Sequence, residues 1–231
     1  FARGYVAVAI AAGAVFALGL GIRQAQPLFI SAINSHTAVG YATISLAFGI
    51  GQLMWGVAQP IAGAVADRHG PRWVMIAGAL LVSLATALTP LADSALALIV
   101  LIGVLAAMGA GAIGPALLIS AANRWIPEAK RAFASGIVNA GGSFGQFTLV
   151  PFAQLLIGLA GWQPALVLLG ATGIAAVPLI LWLTRGASAP APHPPAGAGT
   201  LRGAIRHAAG DRSYLLLNLG FPPLSSGCVN L

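Results

Sequence analysis

The segment Gly63-Ala64-Val65-Ala66-Asp67-Arg68-His69-Gly70-Pro71-Arg72 decides the fold, because its charges lie between two long apolar stretches. The stretches are residues 39–66 and 73–92. Each has the length of about 20 residues that an α-helix needs to cross the hydrocarbon of a bilayer. The segment is therefore predicted to be the turn between two membrane-spanning helices. Gly70 supplies the backbone freedom that a tight turn requires.

Four further stretches along the chain have the same apolar character and a similar length. They are residues 5–33, 95–122, 132–160 and 164–184. None alternates apolar and polar residues, and each is longer than the roughly 9–11 residues of a membrane β-strand. The sequence predicts an all-α membrane protein, a six-helix transmembrane bundle.

The composition agrees with lipid as the main solvent. Hydrophobic residues make up 58% of the 231 residues and charged residues only 6%, whereas soluble domains carry about 25% charged residues. The net charge of +7 does not indicate a nucleic-acid partner, because the basic residues lie between apolar stretches and form no patch with aromatic residues. A single cysteine and four histidines without ligand spacing predict no metal site and no cofactor. With no nucleophile or catalytic dyad, we expect no enzyme and no catalytic residue.

The basic residues predict the orientation in the membrane. With six spans, ten of the 11 Lys and Arg residues fall on one side. They are Arg3, Arg68, Arg72, Arg124, Lys130, Arg131, Arg185, Arg202, Arg206 and Arg212. Because cytoplasmic loops are enriched in Lys and Arg, we expect a cytoplasmic N-terminus and a multi-pass protein of the bacterial inner membrane.

The opening segment resembles the signature loop of the major facilitator superfamily, Gly-x-Leu-Ala-Asp-Arg-x-Gly-Arg-Arg/Lys. The matching residues are Gly63, Asp67, Arg68, Gly70 and Arg72. Val65 replaces the usual Leu, and Pro71 replaces a usual Arg. The family also places this loop between its second and third helices, on the cytoplasmic side.

The resemblance covers residues 1–220 and implies a secondary transporter that works by alternating access. The family has two six-helix halves, each a 3+3 inverted repeat, so this chain would be the N-terminal half. The matching residues would be the gating motif that holds the two halves together in the outward-facing state. Gly63 would let another helix approach closely.

The sequence predicts three regions. Residues 1–184 form the bundle, 185–212 a cytoplasmic linker rich in Pro, Ala and Gly, and 213–231 an aborted seventh span. Two prolines followed by Ser-Ser-Gly do not continue a membrane helix, so we expect a truncation. Such a chain would need a missing C-terminal half or a second copy to transport.

Arg23 is the basic residue that lies inside a span, roughly 15 Å of helix from Ile33. A charge at that depth costs at least about 2.5–3.5 kcal/mol, so we expect it to face a water-filled cavity or a partner. We predict that Arg23 binds the carboxylate of a small organic anion. The alternative is a structural arginine that bonds to helix carbonyls or pairs with a carboxylate of the missing half.

Amide side chains form two stripes at helical spacing. The second stretch carries Gln52, Gly56, Gln59 and Gly63, and the fifth carries Asn139, Ser143 and Gln146. Because amides facing lipid are disfavoured, both stripes are expected to face the bundle interior. We assign substrate contact to Gln52, Asn139 and Gln146, together with Gln26 near Arg23. The alternative is plain hydrogen bonding between helices.

Glycine and proline patterns predict close packing and kinks. Gly141 and Gly145 form a small-xxx-small pair. Gly114-Pro115 and Pro151 are expected to kink the fourth and fifth helices.

The leading function is thus transport of a small organic anion such as a monocarboxylate, with a proton as a candidate coupling ion. Arg23 within Gly-Ile-Arg-Gln resembles the monocarboxylate and oxalate/formate branch of the family. A drug/proton antiporter is disfavoured, because Gly145-Gln146 stands where those members carry Gly-Pro and residues 101–111 contain no Arg. The remaining alternatives are a non-transporting fragment or interaction subunit, and a six-span homodimeric transporter.

Overall fold

The computed structural model describes the backbone of residues 2–185 and the side chains of residues 4–185. Within that part, six helical spans are long and apolar enough to cross a membrane. They are α1 (Gly4–Thr37), α2 (Tyr41–His69), α3 (Pro71–Leu91), α4 (Ala95–Asn123), α5 (Glu128–Ala160) and α6 (Trp162–Leu183). The predicted six-helix bundle is confirmed. The predicted linker beyond residue 185 and the aborted seventh span lie outside the described residues.

Span α1 is interrupted in its second half. The α-helix Ala2–Ala25 gives way to a 3-10 turn, Gln26–Phe29, before the helix resumes as Ile30–Thr37. Pro27 lies in this turn, and proline removes a backbone donor and disfavours the regular helix around it. The interruption begins three residues after Arg23.

Span α4 is the most irregular. It consists of Ala95–Leu98, a π-helix at Ile99–Ala106, and the α-helices Ala107–Ala112 and Pro115–Asn123. The predicted break at Gly114-Pro115 is present, because Gly114 has an extended backbone at φ −70° and ψ 167°.

Proline has different effects in the other spans. The helix Arg131–Ala160 continues through Pro151, so the kink expected there does not end the helix. A short 3-10 turn, Glu128–Lys130, precedes that helix. Span α3 closes with a 3-10 turn at Thr89–Leu91, and α6 divides into Trp162–Ile174 and Ala176–Leu183.

Glycine makes the tightest turns between spans. Gly70 joins α2 to α3 at φ +85°, and Gly161 joins α5 to α6 at φ +84°. This left-handed region strains residues that carry a Cβ. The role predicted for Gly70 in the turn is confirmed.

The spans pack in a pattern that repeats between the two triplets of helices. The longest interface joins α1 to α5, and α1 also contacts α6. Correspondingly, α4 packs on α2 and α3, while α3 and α6 pack on each other. Exchanging α1–α3 with α4–α6 converts α1–α5 into α4–α2 and α1–α6 into α4–α3, and leaves α3–α6 unchanged. This is the pattern expected for a 3+3 repeat.

Small residues form these interfaces. A Cβ added to Gly141 or Gly145 would strike the backbone of Gly13 or Ala17 on α1, respectively. Likewise, a Cβ added to Gly103 of α4 would lie 2.8 Å from the Ala47 carbonyl oxygen on α2. Close backbone approach through small residues is the usual basis of helix association in lipid, and the predicted small-xxx-small contact is present.

One side of the bundle is open. In the most apolar 18-residue segments of α1, α3 and α4, 50% of the residues are buried, but the fraction is only 22% in α2 and 11% in α5. The open faces of α2 and α5 therefore lack a packing partner within the described residues.

Candidate functional site

A polar cavity of about 310 Å³ lies between α1, α2 and α4. Its polar lining comes from Arg23, Gln24 and Gln26 of α1 and from Ser45 and Gln52 of α2. The remaining walls are apolar and include Phe48 and Ile102. The cavity thus combines apolar walls with one cation, several amides and a hydroxyl.

Arg23 lies near the middle of α1 and is partly buried. Its Cζ is 5.1 Å from the centroid of the Trp55 ring on α2, at the distance of a cation–π contact. Its Nη1 donates to Gln24 Oε1 at 3.5 Å, which is a weak hydrogen bond.

No acidic side chain compensates the charge of Arg23 in the described part of the chain. The acidic residues there are Asp67, Asp93 and Glu128, which lie at the ends of spans. The guanidinium therefore keeps unused donors inside the cavity, where a carboxylate would bind strongly.

Gln24 connects the cavity to α5. Its Nε2 donates to Gln146 Oε1 at 3.3 Å. Gln146 does not line the cavity itself, so this predicted site residue reaches Arg23 only through Gln24.

Gln26 is turned mainly toward the core. Only 4% of it is exposed, and its Nε2 donates to Thr86 Oγ1 on α3 at 3.0 Å. Thr86 Oγ1 in turn donates to the Val82 carbonyl oxygen at 2.8 Å. Gln26 thus borders the cavity while its amide nitrogen is used in helix packing.

Gln52 and Asn139, one from each amide stripe, lie on the open side of the bundle, although the stripes were expected to face its interior. Gln52 is exposed and lines the cavity. Asn139 is exposed, and its Nδ2 donates to the Ser135 carbonyl oxygen of its own helix at 2.9 Å. The structure therefore brings Arg23, Gln26 and Gln52 together and leaves Asn139 apart.

The predicted gating motif lies at the α2–α3 turn. Asp67 and Arg68 are exposed. Arg72 Cζ is 5.6 Å from the Trp73 ring centroid, while Arg72 Nε is buried without a hydrogen-bond partner. No described atom lies within 4 Å of the position that a Cβ on Gly63 would take, so the helix expected to approach Gly63 is not one of the described helices.

Sequence reasoning missed two residues that line the cavity, Gln24 and Ser45, and one that contacts Arg23 from outside the lining, Trp55. Gln24 adjoins Arg23 in the sequence. Trp55 follows Gln52 by three residues, so the two share a helix face. The spacing of three residues was the signal that could have identified Trp55. An aromatic residue within an apolar span, however, usually packs against neighbouring helices.

Comparison with known proteins agrees with this architecture. The family profile described as Major Facilitator Superfamily matches residues 7–227. The chain is 32% identical over 155 residues to the probable sulfoacetate transporter SauU of Cupriavidus necator, an alignment covering 67% of this chain and 35% of the relative. It is 33% identical over 193 residues to monocarboxylate transporter 11 of Homo sapiens, covering 80% of this chain and 40% of that protein.

A third relative is the oxalate:formate antiporter of Oxalobacter formigenes. The identity is 28% over 141 residues, which cover 61% of this chain and 33% of the antiporter. The chain thus spans about a third of the length of the relatives it matches. The match over residues 7–227, together with six spans and the motif at the α2–α3 turn, shows that the chain belongs to the Major Facilitator Superfamily.

Proposed function

We propose that this chain is the N-terminal bundle of a secondary transporter that moves a small organic anion across the membrane by alternating access. The observation that carries the proposal is the Arg23 guanidinium, which lies mid-span in a polar cavity without an acidic partner among the described residues. The relatives named as sulfoacetate, oxalate:formate and monocarboxylate transporters support an anionic substrate.

The geometry around Arg23 suits a carboxylate. The Arg23 guanidinium carbon lies 5.1 Å from the Trp55 ring centroid, and a guanidinium donates its hydrogen bonds in its own plane. A carboxylate in the cavity can therefore accept two parallel bonds from one edge of this group. Gln52 and Ser45 line the same cavity and supply polar groups for the rest of the anion.

The part of the site formed by the described residues has a volume of about 310 Å³. That volume accommodates a small organic anion. Because the described acidic residues lie at span ends, coupling to a proton would need a carboxylate from another part of the protein.

A second bundle would complete the site by covering the open faces of α2 and α5. Gly63 would contact that bundle, because no other described helix has an atom within 4 Å of a Cβ added there. With Asp67, Arg68, Gly70 and Arg72 it would form the gating motif at the cytoplasmic end. The second bundle would be either a C-terminal half or a second copy of this chain.

Uptake by proteoliposomes tests the transport proposal. Protein containing this chain is reconstituted, and entry of labelled oxalate, acetate and sulfoacetate is compared with entry of a neutral sugar. We expect uptake of at least one anion. Arg23→Gln should reduce it about 10- to 100-fold, the effect of losing a charge-assisted hydrogen bond, and Arg23→Lys should retain part of it.

Arg131→Gln is the matched control, since Arg131 is exposed at the start of the long α5 helix and far from the cavity lining. Unchanged uptake in Arg23→Gln would contradict the role of Arg23. Uptake of the sugar but of no anion would contradict the substrate class.

The mass of the purified chain in detergent shows whether the second bundle would be a second copy of the chain or a C-terminal half. A dimer by native mass spectrometry would favour a homodimeric transporter. A monomer that binds no anion would favour the need for a C-terminal half.

A further inference from the structure

A second groove lies on the outside of the bundle, away from the cavity around Arg23. It has a volume of about 450 Å³ and is formed by α2, α3 and α4. Its α2 wall includes Ala58, Val65 and His69, and its α3 wall includes Trp73 and Ala77. The shape follows from the sequence, because small residues at helical spacing leave a channel between larger neighbours.

The groove has the depth of one membrane leaflet. From Ala58 to His69 the helix rises over eleven residues, which is about 16 Å at 1.5 Å per residue. Half of a hydrocarbon core about 30 Å thick is 15 Å. An extended acyl chain reaching from the membrane surface to the midplane would therefore fill the groove along its length.

The surface end of the groove is cationic and aromatic. The rings of His69 and Trp73 line it, and the Arg72 guanidinium carbon lies 5.6 Å from the Trp73 ring centroid. Arg68 is exposed nearby in sequence. Asp67, the acidic residue of this turn, is two residues from His69 and therefore about 200° around the helix, away from the groove.

The Arg72 side chain is half-buried, and its guanidinium lies beside the Trp73 ring, which lines the groove. A phosphate at the mouth of the groove can therefore pair with this guanidinium.

We propose that this groove binds one anionic phospholipid, with an acyl chain along α2 and α3 and the phosphate at Arg72 and His69. Basic pockets on the cytoplasmic side of membrane helices are suited to such head groups. The site differs from the anion cavity in location and ligand, so it does not depend on the proposed transport function.

Fluorescence quenching with brominated phosphatidylglycerol tests the proposal on the purified, delipidated protein. Bromine on the acyl chain quenches a nearby tryptophan, and the part of the quenching lost in Trp73→Phe reports on the groove. We expect the quenching of Trp73 to saturate at a lower lipid concentration with brominated phosphatidylglycerol than with brominated phosphatidylcholine, by about tenfold.

Two pairs of variants identify the site. Ala77→Phe places a ring in the groove and should abolish the Trp73 component, whereas Ala64→Phe adds the same ring at another exposed alanine, outside the groove lining. Arg72→Gln should remove the preference for phosphatidylglycerol, whereas Arg131→Gln should keep it. Gel filtration verifies that each variant is folded.

Three outcomes would overturn the proposal. The first is equal affinity for the two lipids, which would mean that no head group is recognised. The second is undiminished Trp73 quenching in Ala77→Phe. The third is no Trp73 quenching in the unmodified protein, as expected if a second copy or another bundle covers the groove.

Discussion

Trp55 restricts the direction of the Arg23 side chain, because its ring centroid lies 5.1 Å from the guanidinium carbon. Arginine has many rotamers, and holding one of them before substrate arrives reduces the entropy lost on binding. Trp55 is therefore a positioning residue in the proposed site.

Trp55→Leu is expected to raise KM for the anion by about 2- to 30-fold, the range of a cation–π contact, with a smaller effect on kcat. Transport kinetics in proteoliposomes measure both constants. In an Arg23→Gln background the same change should add nothing further, since its effect acts through Arg23. Trp125→Leu, at an exposed tryptophan outside the cavity lining, is the control.

Gln26 is expected to contribute more to stability than to substrate binding. Its hydrogen bond to Thr86 is buried, and such bonds between membrane helices contribute about 0.6 kcal/mol on average. A double-mutant cycle with Gln26→Leu and Thr86→Val, followed by thermal unfolding in detergent, measures the coupling. A coupling of zero, with a large loss of anion affinity in Gln26→Leu, would instead assign Gln26 to the substrate.

At this scale the sequence identified the polar residues but not their neighbours. Arg23 and Gln52 could be found because a charge or an amide within an apolar span is expensive. The contacts of Arg23 with Trp55 and of Gln24 with Gln146 depend on how three helices are rotated, which a single sequence does not specify.

At the level of elements, the α1–α5 interface depends on the absence of side chains at particular glycines. Gly145→Ala would place a Cβ against the Ala17 backbone and should destabilise the protein by about 1–3 kcal/mol, as overpacking does.

Gly158→Ala on the same helix is the matched control, because its Cβ would have no neighbour within 4 Å among the described residues. We expect it to be neutral or stabilising by up to about 1 kcal/mol. Thermal unfolding of both variants checks the difference, and equal stabilities would contradict the close contact.

The spans themselves were predictable from length and hydropathy, but their internal breaks were only partly so. Gly114-Pro115 interrupts α4 as predicted, whereas Pro151 leaves α5 helical and Pro27 coincides with a 3-10 turn in α1. Proline is tolerated in membrane helices when neighbouring groups satisfy the freed backbone. Its effect therefore depends on packing that the sequence does not display.

For the whole molecule, the distribution of basic residues predicts which ends of the spans share a compartment. In a Cys228→Ser background, single cysteines at Ser35 and Ser94 should react with an impermeant maleimide added outside intact cells. A cysteine at Ala129, beside Lys130 and Arg131, should react only after permeabilisation, because basic loops remain in the cytoplasm. Labelling of all three from the same side would contradict the six-span topology.

The bundle as a whole follows from the sequence more completely than its site does. Six apolar stretches joined by short turns leave few arrangements, and the family motif at the α2–α3 turn selects one. The sequence did not predict that α2 and α5 have an open side. Amide side chains of these two spans were expected inside the bundle, but they lie on the face where a second bundle would pack.

The contact between Arg23 and Trp55 has a consequence for how the protein is made. Trp55 follows Arg23 by 32 residues, and at about 5–20 residues per second the ribosome needs roughly 2–6 s to add them. The same interval separates the emergence of the two residues from the ribosome, so a first span that enters the lipid within it carries its arginine unaccompanied, at a cost of about 2.5–3.5 kcal/mol. Each Ile, Leu, Val or Phe at the centre of a span returns about 0.3–0.6 kcal/mol. The apolar residues of the first span must therefore be numerous enough to insert it before its aromatic partner has emerged.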